Sequence, residues 1–239
     1  MLAITKLITL AADYGASLTP EQAERFDIYA RLLVEWNEKM NLTAITAPED
    51  MLVKHFVDSL TLAPYLPAGE FSLIDVGTGA GFPGVPVAIL RPDCRLTLLD
   101  SLNKRLTFLE TLCREVGVDA VRIHARAEEG GRQPKLREAF DVATARAVAG
   151  LPLLCEYCLP FVKPGGQFLA LKGPDGETEL DAAKRALAEL HGKAEKVVTL
   201  TLPEPQGGES QRRLICIRKL SPTPAKYPRP SAKIAKQPW

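Results

Sequence analysis

Four glycines fall within eight residues, at positions 77, 79, 81 and 84, directly after the apolar run Ser72 to Val76. A second apolar run, Val85 to Leu90, follows at once. The pattern reads as strand, tight turn, helix. So many glycines are costly in backbone entropy. They point to a turn that needs φ values bulkier residues resist, or that lets a ligand approach the backbone closely. The turn opens onto a helix N-terminus, whose free N–H groups face whatever binds there.

Two registers describe the turn. Gly79, Gly81 and Gly84 match the G-x-G-x-x-G pattern of dinucleotide sites. Against that register, Pro83 lies inside the turn and the acid Asp75 precedes the glycines. In the other register Asp75 is followed by three alternate glycines, 77, 79 and 81. This is similar to the first motif of Rossmann-like methyltransferases, where the turn cradles the methionine end of S-adenosylmethionine.

Charge bears on partners only through its distribution. The chain has 30 basic and 29 acidic residues. Residues 1–68 hold nine acids against five basic residues, and the remainder is correspondingly basic. A basic catalytic part is compatible with a nucleic-acid substrate. Five cysteines, an odd number, suggest reduced thiols in a cytosolic protein. Cys155 and Cys158 form one C-x-x-C with no second pair and read as buried thiols on a helix, not a metal site. No apolar run reaches transmembrane length, and the N-terminus lacks the basic segment of a signal peptide.

The first 68 residues read as a helical extension. Residues 2–15 form a short amphipathic helix. Thr19, Pro20 and Gln22 make a helix start with a capping box. Phe26, Ala30, Leu33, Trp36 and Met40 then recur at helical spacing and predict a buried stripe. Pro48, Glu49 and Asp50 begin another helix, with Leu52, Phe56 and Leu60 as its buried face. His55 and Asp58 lie at i and i+3 on it and can interact, as a structural or a functional pair.

From residue 69 to 220 the pattern is β–α alternation. Arg95 to Asp100 is a second strand ending in an acid, 25 residues after Asp75. At that place in dinucleotide sites an acid bonds ribose hydroxyls. Ser101 to Val116 reads as a helix and Ala120 to His124 as a third strand. Ala127 and Glu128 follow where a loop would close over an adenine. Phe140 to Ala145 is a fourth strand, and Arg146 at its end stands near any ligand beyond the carboxyl ends of the strands. Pro164 to Gly166 reads as a turn and Gln167 to Lys172 as a fifth strand. Glu195–Leu202 and Arg212–Arg218 form an antiparallel hairpin that closes the sheet. Residues 221–239 hold five prolines, three lysines and one arginine without an acid. That composition predicts an extended tail, either a solvated terminus or a phosphate-contacting arm.

Taken together, several segments resemble the bacterial small-subunit (16S) rRNA guanine-N7 methyltransferase family. They are Trp36-Asn37 with Asn41 to Ile45, His55 to Leu60, Asp75 to Gly84, and Leu99 to Ser101 with Lys104-Arg105. Thr144 to Ala149, Lys163 to Gly166, Lys172-Gly173 and Lys226 to Arg229 complete the set. The resemblance implies a Rossmann-like class I methyltransferase fold: a mostly parallel sheet with a closing antiparallel hairpin, preceded by N-terminal helices. It implies methyl transfer from S-adenosylmethionine to N7 of a guanine in the decoding region. Carried over by position, Gly77, Phe82, Ala127, Glu128 and Arg146 contact the cofactor. Gly79 and Asp100 join them from the turn and strand-end argument. Lys172, Lys226 and Arg229 are the RNA-binding candidates. The family tail continues past Pro-Arg with a basic residue and a glycine, where this chain has Pro230, Ser231 and Ala232.

The implied chemistry needs no general base, because guanine N7 carries a lone pair and no proton. No catalytic residue is therefore expected beyond positioning groups, Arg146 among them. Ala145, Arg146 and Ala147 stand where amine methyltransferases carry Asn/Asp-Pro-Pro-aromatic. The expected partner is 16S rRNA or the small ribosomal subunit, with no membrane and no metal, and the chain is expected to be monomeric and cytoplasmic. Two other readings remain open here: a nicotinamide-dependent oxidoreductase on a related fold, and a non-catalytic RNA-binding module.

Overall fold

The computed structural model describes residues 1–239. Seven strands form one sheet in the order β3-β2-β1-β4-β5-β7-β6. They are β1 (Phe71–Val76), β2 (Cys94–Asp100), β3 (Ala120–His124), β4 (Phe140–Arg146), β5 (Val162–Lys172), β6 (Gly192–Pro203) and β7 (Glu209–Lys219). The first five are parallel. The hairpin β6–β7 is antiparallel and adds to β5 through β7. Chain direction around the sheet therefore reverses between β1 and β4, and ligands of open α/β sheets bind at such a switch point, beyond the strands' carboxyl ends.

Both faces of the sheet are covered, which suits strands that are apolar along their whole length. On one face Leu73, Leu96, Leu98, Val142 and Leu169 pack in a core shared with the N-terminal helices. These are α1 (Ile4–Asp13) and α2 (Pro20–Met40), with α5 (Gly84–Leu90) and α6 (Asn103–Glu115) beside them. Ile74, Val76, Leu99, Ala143, Ala145, Phe168 and Ala170 face the other way, into a core with α8 (Leu151–Cys158) and α9 (Gly176–Glu189). Successive residues of β1 thus serve opposite cores, as a pleated strand requires.

Local signals work as expected at α2. The Thr19 hydroxyl accepts from the Gln22 amide at 3.2 Å, and the Gln22 side chain accepts from the Thr19 amide at 3.0 Å. The helix ends at Asn41, whose φ of +44° supplies the left-handed cap. The next helical run is less regular. A π-helical segment, Leu52–Val57, separates α3 (Pro48–Met51) from α4 (Asp58–Leu60). π-bulges occur frequently at functional sites.

Two expectations need correction. Residues Pro164 to Gly166 are not a turn before β5 but an irregularity inside it. Pairing with β4 begins at Phe140 with Val162 and resumes at Val142 with Gln167. Gly165 at φ +84° absorbs the extra residues. Nor is the C-terminal segment an extended tail. It straps across α8 and α9, buries Tyr227 and Ile234, and forms α10 (Ser231–Lys236). The anchor is polar, which is why composition misleads. Glu156, wholly buried on α8, accepts from the Arg229 guanidinium at 2.6 Å, the Arg229 amide at 2.6 Å and the Trp239 indole at 2.7 Å.

Candidate active site at the carboxyl ends of β1 and β4

The glycine turn hangs on two acids. Asp75, fully buried at the end of β1, accepts from the Thr78 hydroxyl at 2.7 Å and the Gly84 amide at 2.9 Å through one oxygen. Its other oxygen is buried without a partner. Burial pushes its carboxyl up to about 6, although the Thr78 and Gly84 bonds hold it down. Asp100 ends β2 and accepts from the Gly79 amide at 2.9 Å and the Leu102 amide at 2.9 Å. Arg105 on α6 reaches the same carboxylate at 3.3 Å.

Beside this turn lies a cavity of about 290 Å³. Gly77, Asp100, Ala127, Glu128 and Tyr157 line it, with Ala147 and Val148 from the loop after β4. Ala127 and Glu128 sit on α7 (Ala127–Gly130), and Glu128 is buried. The sequence candidates Gly77, Asp100, Ala127 and Glu128 are thus brought together, with Gly79 tied to them by its bond to Asp100. The cavity fits S-adenosylmethionine. An acid stands where ribose hydroxyls would lie, and a Cβ on Gly79 would meet no atom closer than the Gly77 carbonyl at 4.0 Å. Gly79 is thus free of protein packing and open to a ligand. A larger cavity, about 540 Å³, lies elsewhere, among Ser72, Cys94, Ala120 and Phe140 at the strands' amino ends. Open α/β sheets do not hold their ligands at that end.

Phe82 and Arg146 belong to a second constellation. Phe82 is buried between two rings, stacked on Tyr29 at 5.1 Å and on His55 at 4.4 Å. The Arg146 guanidinium lies 4.9 Å from its ring centre. Arg146 donates to Asp58 at 2.7 Å and to the Lys54 carbonyl at 3.0 Å, both in the π-helical run and α4. With Lys172, Glu179 and Arg212 these groups surround a second cavity of about 390 Å³, lined by Ile45, Lys54, His55, Asp58, Arg146 and Ala147. Ala147, at φ +55°, lines both cavities, so they meet at the end of β4.

His55 has a defined state. Its Nδ1 lies 3.3 Å from the Arg146 guanidinium, which can only donate, so Nδ1 accepts. Nε2 therefore carries the proton and donates to the Thr43 hydroxyl at 2.9 Å. Burial, with Arg146 close by, lowers its pKa to about 3. In the unfolded chain the ring titrates at its ordinary 6.5. Between those values the unfolded state binds a proton that the folded state does not. Stability attributable to His55 is therefore full above pH 6.5 and falls as the pH drops towards 3. Asp75 acts oppositely, since its folded pKa is raised. His55→Asn should accordingly lose about 2 kcal/mol less stability than wild type between pH 7 and pH 5. Urea unfolding at both values measures this, and equal losses would mean the ring is not buried neutral.

The RNA-binding candidates separate. Lys172 is nearly buried, donates to Glu179 at 2.7 Å and the Ala149 carbonyl at 2.9 Å, and lines the second cavity. Lys226 is exposed on the strap and pairs with Glu189 at 3.1 Å. Arg229 is committed to Glu156, so the expected phosphate contact meets a guanidinium already spent on a buried carboxylate. Sequence reasoning missed Asp58 as the partner of Arg146, and it missed Tyr29, Arg105, Tyr157 and Arg212. The i, i+3 spacing of His55 and Asp58 was the available signal, but their partner lies some ninety residues away.

Fold and site together define an S-adenosylmethionine-dependent methyltransferase of the Rossmann-like class. Solved structures of that class share the fold. A SAM-dependent methyltransferase from Methanosarcina mazei has a TM-score of 0.51 at 15% identity, covering 67% of this chain and 97% of its own. A 16S rRNA (adenine(1408)-N(1))-methyltransferase from Catenulisporales acidiphilia, solved with its cosubstrate SAM, has a TM-score of 0.52 at 18% identity, covering 65% and 87%. Residues 22–211 match the GidB family model, described as rRNA small subunit methyltransferase G. Ribosomal RNA small subunit methyltransferase G of Acetivibrio thermocellus is 48% identical over 97% of this chain and 95% of its own length. That of Bacillus subtilis is 47% identical over 91% of each. The chain belongs to the GidB family of rRNA small subunit methyltransferases.

Proposed function

We propose that the protein transfers the methyl group of S-adenosylmethionine to N7 of a guanine in the decoding-region loop of 16S rRNA, acting as a monomer in the cytoplasm. One observation carries the choice of N7. Every group in the second cavity that could take a proton is already bonded to a cation. Asp58 is paired with Arg146, Glu179 with Lys172, and the free lone pair of His55 faces Arg146. A substrate amine or hydroxyl would have to lose a proton to such a base, whereas guanine N7 has none to lose. The closing hairpin and Asp75 ahead of the glycines count against the nicotinamide reading.

In this reading Gly77, Gly79, Asp100, Ala127 and Glu128 hold the cofactor, which supplies an electrophilic sulfonium methyl. The target base enters the second cavity, out of its stack, as enzymes acting on a base require. The protein's task is to align the two and exclude water. Arg146 and Lys172 bring their counterions with them. Their charge thus opposes the cation developing on the base less than free cations would. Phe82, clamped between Tyr29 and His55, fixes the wall behind the glycine turn.

The test is incubation with labelled S-adenosylmethionine and small-subunit RNA or subunits from cells lacking the activity, followed by cleavage mapping at N7-methylguanine. One labelled guanine is expected. Label at another atom would overturn the N7 reading, and cofactor binding without transfer to any form of the RNA would favour the non-catalytic module.

A further inference from the structure

The C-terminal strap reaches the cofactor cavity. Ser231, at the start of α10, donates its hydroxyl to Glu128 at 2.5 Å. Glu128 lies 103 residues earlier in the chain, is buried, and lines the cavity between α7 and the end of β2. No other side chain or amide donates to it. Ser231 in turn is held by its neighbour. Arg229 spends its amide and guanidinium on buried Glu156 and donates to the Gln237 carbonyl at 2.7 Å, fastening both ends of α10. Upstream, Arg137 clamps the Tyr227 carbonyl at 2.9 Å and the Thr223 carbonyl at 2.7 Å. The same helix that offers Glu156 to the strap places the following residue, Tyr157, in the cavity.

We infer that Ser231 is a positioning residue for cofactor binding: the strap serves the methyl-donor site by holding the Glu128 carboxylate in place, through Ser231 and the Arg229–Glu156 anchor. The inference rests on the reading of Glu128 as a cofactor contact. A buried carboxylate on a four-residue helix has several rotamers and needs a fixed donor to choose among them. The Ser231 hydroxyl occupies one oxygen and leaves the other for a ligand donor. This gives the segment after Arg229 a role at the cofactor, distinct from the phosphate contact that its basic composition suggests.

The experiment is calorimetric titration of S-adenosylhomocysteine into the wild-type full chain and into Ser231→Ala, Ser231→Thr and Glu128→Gln, with thermal unfolding of each. Losing one hydrogen bond to a charged group predicts about tenfold weaker binding by Ser231→Ala. Its unfolding temperature should fall by a few degrees, because the buried Glu128 carboxylate loses its donor, so binding is compared at a temperature where every variant is folded. Ser231→Thr keeps the hydroxyl and should bind within about twofold of wild type, a rescue that a merely structural effect would not predict. Ser231→Ala binding as tightly as wild type, while Glu128→Gln binds weakly, overturns the strap's role alone. Unchanged binding in both removes Glu128 from the site and the inference with it. A Ser231→Thr variant as weak as Ser231→Ala also overturns it.

Discussion

Arg229→Ala is expected to lower the free energy of unfolding by about 3–5 kcal/mol, the cost of stranding one partner of a buried ion pair. In a chain of this size that is a fall of roughly 10 °C in Tm. Glu156 has no exposed surface and takes its donors from the strap. Removing the guanidinium leaves its carboxylate with the Trp239 indole and the backbone amide at residue 229. It also removes the cation that packs 4.7 Å from the Trp239 ring centre. The cause can be isolated with a second change. Glu156→Gln in the Arg229→Ala background removes the stranded charge, so the double variant should be more stable than the single. Urea unfolding of the three proteins measures both statements. A loss below about 1 kcal/mol in Arg229→Ala would mean that the strap does not hold Glu156 in solution.

This anchor also marks where sequence reasoning runs out. Strand ends, the glycine turn, the capping box and the closing hairpin are local patterns, and each was legible because the residues that make it are neighbours in sequence. Asp100 could be placed at the site from its position at the end of the second strand alone. The two ion pairs that organise the site could not be placed. Arg146 and Asp58 are 88 residues apart, and Arg229 and Glu156 are 73 apart. One signal was present. Glu156 is the single charged residue in the helix Leu151–Cys158, whose other positions are apolar or aromatic. A carboxylate buried there needs a cation from elsewhere, and the acid-free segment after residue 220 was the obvious supplier. Composition instead argued for an extended tail, solvated or contacting phosphates, because it counts apolar residues and overlooks a strap held by one buried charge and two aromatic rings.

The three alternate glycines show the same limit within the most legible motif. They look equivalent in sequence and are not. Gly81, at φ +99°, is a packing position: a Cβ would stand 2.5 Å from the Tyr29 hydroxyl and 3.0 Å from Leu109 and Val85. Gly77, at φ +70°, lies under Val148, whose Cγ2 a Cβ would approach to 2.7 Å. Only at Gly79 would a side chain meet open space, so there the glycine answers to its φ of +61°, not to packing, and leaves room for a ligand.

Gly79→Val should therefore separate binding from folding. At φ +61° a β-branched residue is strained, which costs on the order of 1–3 kcal/mol, and the fold should survive that. The valine methyls would then occupy the cofactor's approach beside Asp100, which holds the amide of this same residue. Forcing methyl groups into a filled contact costs about 1–3 kcal/mol, or up to about 100-fold in affinity. Gly81→Ala should behave in the opposite way, losing stability first, because its Cβ collides with the helix α2 side chain that braces the turn. Calorimetry with S-adenosylhomocysteine on both variants, after unfolding curves establish that each is folded, distinguishes the two roles. A folded Gly79→Val protein with wild-type affinity would place the cofactor elsewhere. It would leave the backbone conformation, φ +61°, as the sole reason for a glycine at that position.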